Sequence, residues 1–212
     1  MNQNALAPTF FMDYHEPSVQ EFTRYHTQGL SDPKAQAIQL FKVVRDTFDY
    51  NPYNINLQKD AMRASEILKR ESAYCNEKIL VLAAALRSLG IPARLYFGNV
   101  RNHIATEKLQ RLIKTDIMAF HGSVEIWLGD RWLKATPAFN TSLCHKLGVQ
   151  PLEFDGENDA ILQQFSTDGR RFMEYIKVHG SFDDMPYDLF VAELKKHYGH
   201  LISEGVLNYR LA

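Results

Sequence analysis

The run I-L-V-L-A-A-A-L-R-S-L, Ile79 to Leu89, is apolar on almost every side of a helix. A helix without a polar face has to be covered all round, so it belongs in the middle of a domain with other elements packed about it. Gly90 supplies the stop and Pro92 follows closely. Upstream, Arg63 to Arg70 reads as a short helix, and Glu71-Ser72-Ala73-Tyr74 breaks the pattern. The buried helix is therefore expected to start near Cys75.

The remaining pattern supplies what has to cover that helix. In S-D-P-K-A-Q-A-I-Q-L-F-K-V-V-R-D-T-F, Ser31 or Asp32 can cap a helix and Pro33 can occupy its first turn. Ala37, Leu40, Phe41, Val44 and Phe48 recur at helical spacing on one face. Asp49 to Leu57 has no helical period and reads as a loop or short strand able to line a cleft. Ala93 to Val100 reads as a strand, and Val124 to Leu128 and Arg131 to Ala135 as a hairpin closed by Gly129-Asp130. Asn102 to Met118 is charged and poorly patterned, a helix or an excursion. Helices are expected at Asp188 to Tyr198 and around Leu162. With 212 residues and no internal repeat, the expected organisation is an α+β core over residues 1–150 with N-terminal helices. A mainly helical extension, 151–212, packs on the same domain.

Twenty-four basic side chains against 25 acidic ones leave a formal net charge of −1. That removes the electrostatic attraction on which nucleic-acid and anionic-membrane binding depend, so neither partner is expected. The N-terminus M-N-Q-N-A-L-A-P-T lacks a basic region followed by an apolar stretch, and no apolar run reaches the roughly 20 residues that span a bilayer. A cytoplasmic location is expected. The two cysteines, Cys75 and Cys144, are too few for a disulfide framework and lack zinc-site spacing.

A thiol at a helix N-terminus meets unpaired backbone N–H groups and the positive end of the helix dipole, both of which favour thiolate. The same N–H groups can receive the oxyanion formed when that thiolate attacks a carbonyl. Cys75 has this placement; the competing reading is a small buried hydrophobe. His121 opens H-G-S-V-E-I-W-L just before an expected strand, where an imidazole can take a thiol proton and later protonate a leaving amine. Its competing reading is a histidine bonded into a loop. Cys144 has only the adjacent His145, which is poor nucleophile–base geometry, and reads as structural. His197 and His200 have i, i+3 spacing without a carboxylate to complete a metal set and read as a solvated helix end.

The stretch A-S-E-I-L-K-R-E-S-A-Y-C-N-E-K-I-L-V-L-A-A-A-L-R-S-L-G-I-P-A-R, Ala64 to Arg94, resembles the nucleophile region of the transglutaminase-like superfamily. There a cysteine begins a buried helix ending in R-x-L-G-I-P-A-R. Ala37 to Tyr50 resembles the helix and tyrosine that precede it. H-G-S-V-E-I-W-L-G-D-R-W-L-K-A-T-P resembles the family's histidine strand, turn and tryptophan-containing strand. The resemblance implies a papain-like fold in which the helix carrying Cys75 packs on an antiparallel sheet carrying His121. It also implies a cysteine–histidine pair that needs no metal or organic cofactor.

The family's third catalytic residue is usually an aspartate, which this chain lacks. Counting along the strand from Trp132 puts Thr136 there; aligning on A-T-P puts Lys134 there. The strand count is preferred because Trp132, Lys134 and Thr136 share a face and a threonine hydroxyl can accept an imidazole N–H. Asn140 is the other candidate, since an asparagine carbonyl can orient an imidazole. Tyr74 precedes the cysteine and either shapes the entrance or packs in the core. Gly122-Ser123 stands where the family often has a small residue and a tryptophan after the histidine, and is expected to open space beside the site. The expected activity is acyl transfer from a peptide, protein or small amide through a thioacyl-enzyme, with hydrolysis somewhat favoured over transfer to an amine. The rival is a non-catalytic module that binds a peptide or protein in the same cleft.

Overall fold

The computed structural model describes residues 3–103, 107–203 and 206–208. Helices α1 (Pro17–His26) and α2 (Pro33–Thr47) come first, followed by the short strands β1 (Asp49–Tyr50) and β2 (Asn54–Asn56) and the one-turn helix α3 (Ala64–Ile67). Asp32 is the cap of α2: its carboxylate accepts the Ala35 N–H at 2.9 Å, and Pro33 sits in the first turn. Strand β3 (Ser72–Ala73) leads directly into α4 (Cys75–Ser88), the buried helix, which begins at Cys75.

Every residue of α4 from Cys75 to Arg87 is buried. Helices α1, α2 and α3 pack against it, and so does strand β5 (Ile117–Leu128) of the main sheet. The polar side chains enclosed with it are satisfied. Lys78 Nζ donates to the Arg45 carbonyl at 2.8 Å, and the Arg87 guanidinium donates to the carbonyls of Ala7, Ala93 and Asp183. Burial pulls the Lys78 ammonium down to about 7. Arg87 thereby ties the C-terminal end of α4 to the N-terminal segment, to the start of β4 and to the residue after β7.

The main sheet contains β5 and three strands whose ranges are β4 (Ala93–Asn102), β6 (Arg131–Ala135) and β7 (Met173–Phe182), in the antiparallel order β6-β5-β4-β7. Gly129 and Asp130 have φ of +54° and +69° and join β5 to β6 with Leu128 opposite Arg131, the two-residue hairpin turn expected there. Between β4 and β5 lies helix α5 (Glu107–Ile113), and after β6 comes α6 (Thr141–Leu147). Helix α7 (Tyr187–Tyr198) follows β7 and packs on β5; β8 (Ile202–Ser203) and β9 (Val206–Asn208) then complete a small sheet with β2.

The C-terminal part differs from the mainly helical extension expected. No helix forms around Leu162, where the chain is irregular, and β7 adds a fourth strand to the main sheet beside β4. Two register breaks along β4–β7 spoil the period-two alternation that would have marked β7 as a strand. His121 also lies inside β5, since that strand starts at Ile117 and not after the histidine. The excursion 102–118 holds both a helix and the first residues of β5, while 104–106 lie outside the described residues.

One irregularity fixes the site. Gly98 pairs with His121 and Val100 with Met118, so Asn99 alone faces two residues of β5, Ala119 and Phe120. This is a β-bulge, and Phe120 takes the left-handed conformation at φ +56°. For a bulky residue that conformation is strained and persists only where surrounding contacts hold it. Among the described residues no helix is long and apolar enough to cross a membrane.

Candidate active site

Cys75 is the first residue of α4, with Tyr74 before it as the cap. The Tyr74 N–H donates to Glu77 at 3.1 Å, and Arg70 pairs with the other Glu77 oxygen, so the first turn is held from outside as well as by its own ladder. Burial raises the Glu77 carboxyl to about 7 against the opposing pull of Arg70. The backbone N–H groups of Gly122, Asn76 and Cys75 act on the sulfur to draw its pKa down, as the helix-terminus argument requires. Burial outweighs them. With Cys75 only 7% exposed, its thiol is pushed up to about 11, opposite to the thiolate expected from the sequence.

His121 is 2% exposed, and burial lowers its imidazole to about 4. Its Nδ1 is enclosed and has no hydrogen-bond partner among the described residues. Cys75 and His121 line the same cavity, of about 40 Å³, together with Tyr50, Tyr74, Asn76 and Tyr198. A space of that size holds a few water molecules at ~10–15 Å³ each. At neutral pH the pair is therefore an uncharged thiol and an uncharged imidazole in one narrow, largely apolar chamber.

Two buried asparagines hold the strained peptide before His121. Asn76 Nδ2 donates to the Phe120 carbonyl at 3.0 Å, and Asn99 Oδ1 accepts the Phe120 N–H at 3.0 Å. The Cys75 thiol in turn lies 3.6 Å from Asn76 Oδ1. His179 Nε2 donates to Asn99 Oδ1 at 2.9 Å, and Asn99 Nδ2 donates to Glu193 at 3.3 Å, so β7 and α7 brace the same asparagine. From α7 the Tyr198 hydroxyl donates to the Ile117 carbonyl and accepts the Ala119 N–H, both at 2.7 Å, satisfying backbone that the bulge leaves unpaired.

The other residues singled out in the sequence are placed as follows. Thr136 is buried, but its hydroxyl is 2.7 Å from that of Ser123, which also reaches the Tyr175 hydroxyl at 3.3 Å. Asn140 accepts the Tyr50 N–H at 3.1 Å and donates to Ser142 and Asp49. Neither reaches His121 Nδ1. Asn140 instead fixes Tyr50, a wall of the cavity. Lys134 points to Glu125 at 3.7 Å and to the Tyr96 ring, while Glu125 also pairs with Arg94, a structural charge cluster. Cys144 is buried in α6. His197 faces Glu193 at 3.6 Å, and His200 lies 3.0 Å from the Leu112 carbonyl.

Gly122 does not open space. A Cβ there would meet Ile79 Cδ1 at 2.3 Å and Asn76 Oδ1 at 2.6 Å, so glycine is required because α4 and β5 approach closely. Ser123 beside it is fully buried in the hydroxyl cluster. Sequence reasoning missed Asn76 and Asn99. Asparagine inside a strand, as in Phe97-Gly98-Asn99, is the one local signal that a bulge lay nearby.

The family model described as the transglutaminase-like superfamily matches residues 20–137, more than half of the chain. No curated protein matches the chain. Among solved structures, a candidate cysteine protease from Cytophaga hutchinsonii superposes with a TM-score of 0.54 at 14% identity. The match covers 88% of this chain and 48% of that protein, so this chain spans about half its length. A candidate protease from Parabacteroides distasonis gives a TM-score of 0.39 at 14% identity, covering 61% of this chain and 25% of that one.

Proposed function

The chain belongs to the transglutaminase-like superfamily, and from that premise we propose that it is a cysteine-dependent acyl-transfer enzyme acting on a peptide or amide. The observation that supports this reading is the meeting of Cys75, first residue of the buried helix, and His121, on the facing strand, in one chamber. Because both groups rest uncharged, proton transfer accompanies attack and does not precede it. His121 takes the Cys75 proton as the sulfur bonds to the carbonyl carbon. The N–H groups of Gly122 and Asn76, which act on the sulfur to lower its pKa, receive the negative charge that develops on oxygen. Collapse of the tetrahedral species breaks the C–N bond, and His121 returns the proton to the leaving amine. Water then attacks the thioester and regenerates Cys75. A chamber of about 40 Å³ admits water far more readily than a long amine, which favours hydrolysis over transglutamination.

A second reading, a non-catalytic module binding a peptide or protein in this cleft, is favoured by one observation. His121 Nδ1 has no orienting partner, and the threonine in the usual aspartate position is committed to Ser123. Intact mass measurement during incubation with a peptide-amide library separates the two. An acyl adduct on the wild-type chain, absent from Cys75→Ala and much reduced in His121→Ala, supports the enzyme. Binding of the same peptides without any adduct or cleavage supports the module and overturns acyl transfer.

A further inference from the structure

A second cavity adjoins the Cys75 chamber. Tyr50, Pro52, Leu109 and Met118 line both, so the two spaces are direct neighbours. The second is larger, about 110 Å³ against about 40 Å³. Its far side is formed by Phe139, Leu143, Leu147 and Phe172, and among the described residues no ionisable acid or base other than tyrosine lines it.

The far wall is preorganised. Tyr50 and Phe139 meet edge to face at 4.8 Å, and Phe139 and Phe172 stack at 6.0 Å. Asn140 holds Tyr50 from behind through its N–H. An apolar cavity of ~150 Å³ accepts a benzene ring, so this one is of the size for a branched aliphatic or single-ring group. A charged group entering it would lose its hydration without a partner. Lys108 Nζ lies 5.2 Å from the Tyr53 ring and belongs to the lining of neither space.

The Cys75 chamber has room for a carbonyl group and a few waters but not for a side chain. A donor that brings its carbonyl to the sulfur must put its side chain elsewhere, and the neighbouring cavity is the space within reach. We propose that the cavity between Tyr50 and Phe172 is a subsite for a bulky apolar side chain, leucine- or phenylalanine-like, on the acyl side of the amide. The assignment rests on the reading of Cys75 as the acyl acceptor. It makes the substrate an apolar peptide segment and excludes acidic and basic ones at that position.

The test uses Cys75→Ala protein, in which binding is read without chemistry. Calorimetric titration with acetyl-alanyl-X-alanine amides, where X is glycine, leucine, phenylalanine, aspartate or lysine, should show leucine and phenylalanine binding roughly tenfold to a hundredfold tighter than glycine. Aspartate and lysine should bind no better than glycine. Leu147→Arg should remove most of the preference; Leu143→Gln serves the same purpose should the arginine variant melt early. Equal binding across the series, tighter binding of a charged peptide, absence of binding throughout, or a preference surviving in a folded variant of Leu147 or Leu143 would overturn the subsite. If the preference holds while wild-type protein forms no acyl adduct, acyl transfer fails and the subsite stands.

Discussion

The side-chain amide of Asn76 donates a 3.0 Å hydrogen bond to the backbone carbonyl of Phe120, linking the first turn of the cysteine helix to the bulge that carries His121. Asn99 holds the N–H of the same residue from the opposite side. Together they fix a left-handed phenylalanine whose conformation decides where the next side chain points. The alignment of Cys75 with His121 is thus set by amides that belong to neither.

Asn76→Ala should lower stability by about 1–3 kcal/mol, the usual effect of leaving a buried carbonyl without its donor. Urea unfolding at pH 7 reads it as a lower midpoint with an unchanged slope. Formation of the acyl adduct should fall by more than the stability loss explains. A variant with wild-type midpoint and wild-type adduct rate would show that the clamp is idle.

Gly122→Ala should cost about 1–3 kcal/mol through overpacking, because the added methyl meets Ile79 Cδ1 at 2.3 Å. Ile79→Val removes that atom. The double variant should therefore be more stable than the sum of the single effects predicts, although contact with Asn76 Oδ1 at 2.6 Å keeps it below wild type. Strict additivity in thermal melts would refute the close approach.

Burial depresses the His121 imidazole from 6.5 to about 4, so between those values the unfolded chain binds the proton and the folded chain does not. The stability this group contributes is present above pH 6.5 and is lost as pH falls toward 4, by up to ~3 kcal/mol. Urea midpoints at pH 7 and 4.5 should draw apart by less in His121→Gln than in wild type. Parallel shifts in the two proteins would mean that the imidazole is not buried neutral.

The Cys75 thiol, pushed up to about 11, should react with iodoacetamide at pH 7 more slowly than a free thiol in solution, with its rate still rising past pH 9. Tyr198→Phe removes the hydroxyl that bonds both Ile117 and Ala119 and loosens the helix covering the chamber. Alkylation of that variant, followed by peptide mapping, should be several-fold faster at Cys75 and unchanged at Cys144. Equal rates in both proteins would show that α7 does not limit access.

Local rules in the sequence reached the elements they govern. The Asp32-Pro33 start of α2, the wholly apolar body of α4 and the Gly129-Asp130 turn are each decided within a few residues, and each is found in the structure. The bulge at Phe120 depends on Asn99 and Asn76, 21 and 44 residues away in the chain. The partner of Thr136 depends on hairpin register, which brings its hydroxyl to Ser123. The raised thiol pKa escapes the sequence for a related reason. A helix terminus can be read from spacing, but the side chains of α5 and α7 that shut water out come from distant segments.

With its thiol pushed up to about 11 by burial, Cys75 rests almost wholly un-ionised at pH 7. Peroxide and disulfide-forming reagents attack thiolate, so they find almost nothing to react with. A chamber with room for only a few waters, roofed by a helix that also braces Asn99, therefore acts as a shield against oxidation. Loosening that roof would open the sulfur to any reagent that enters the chamber, oxidants included.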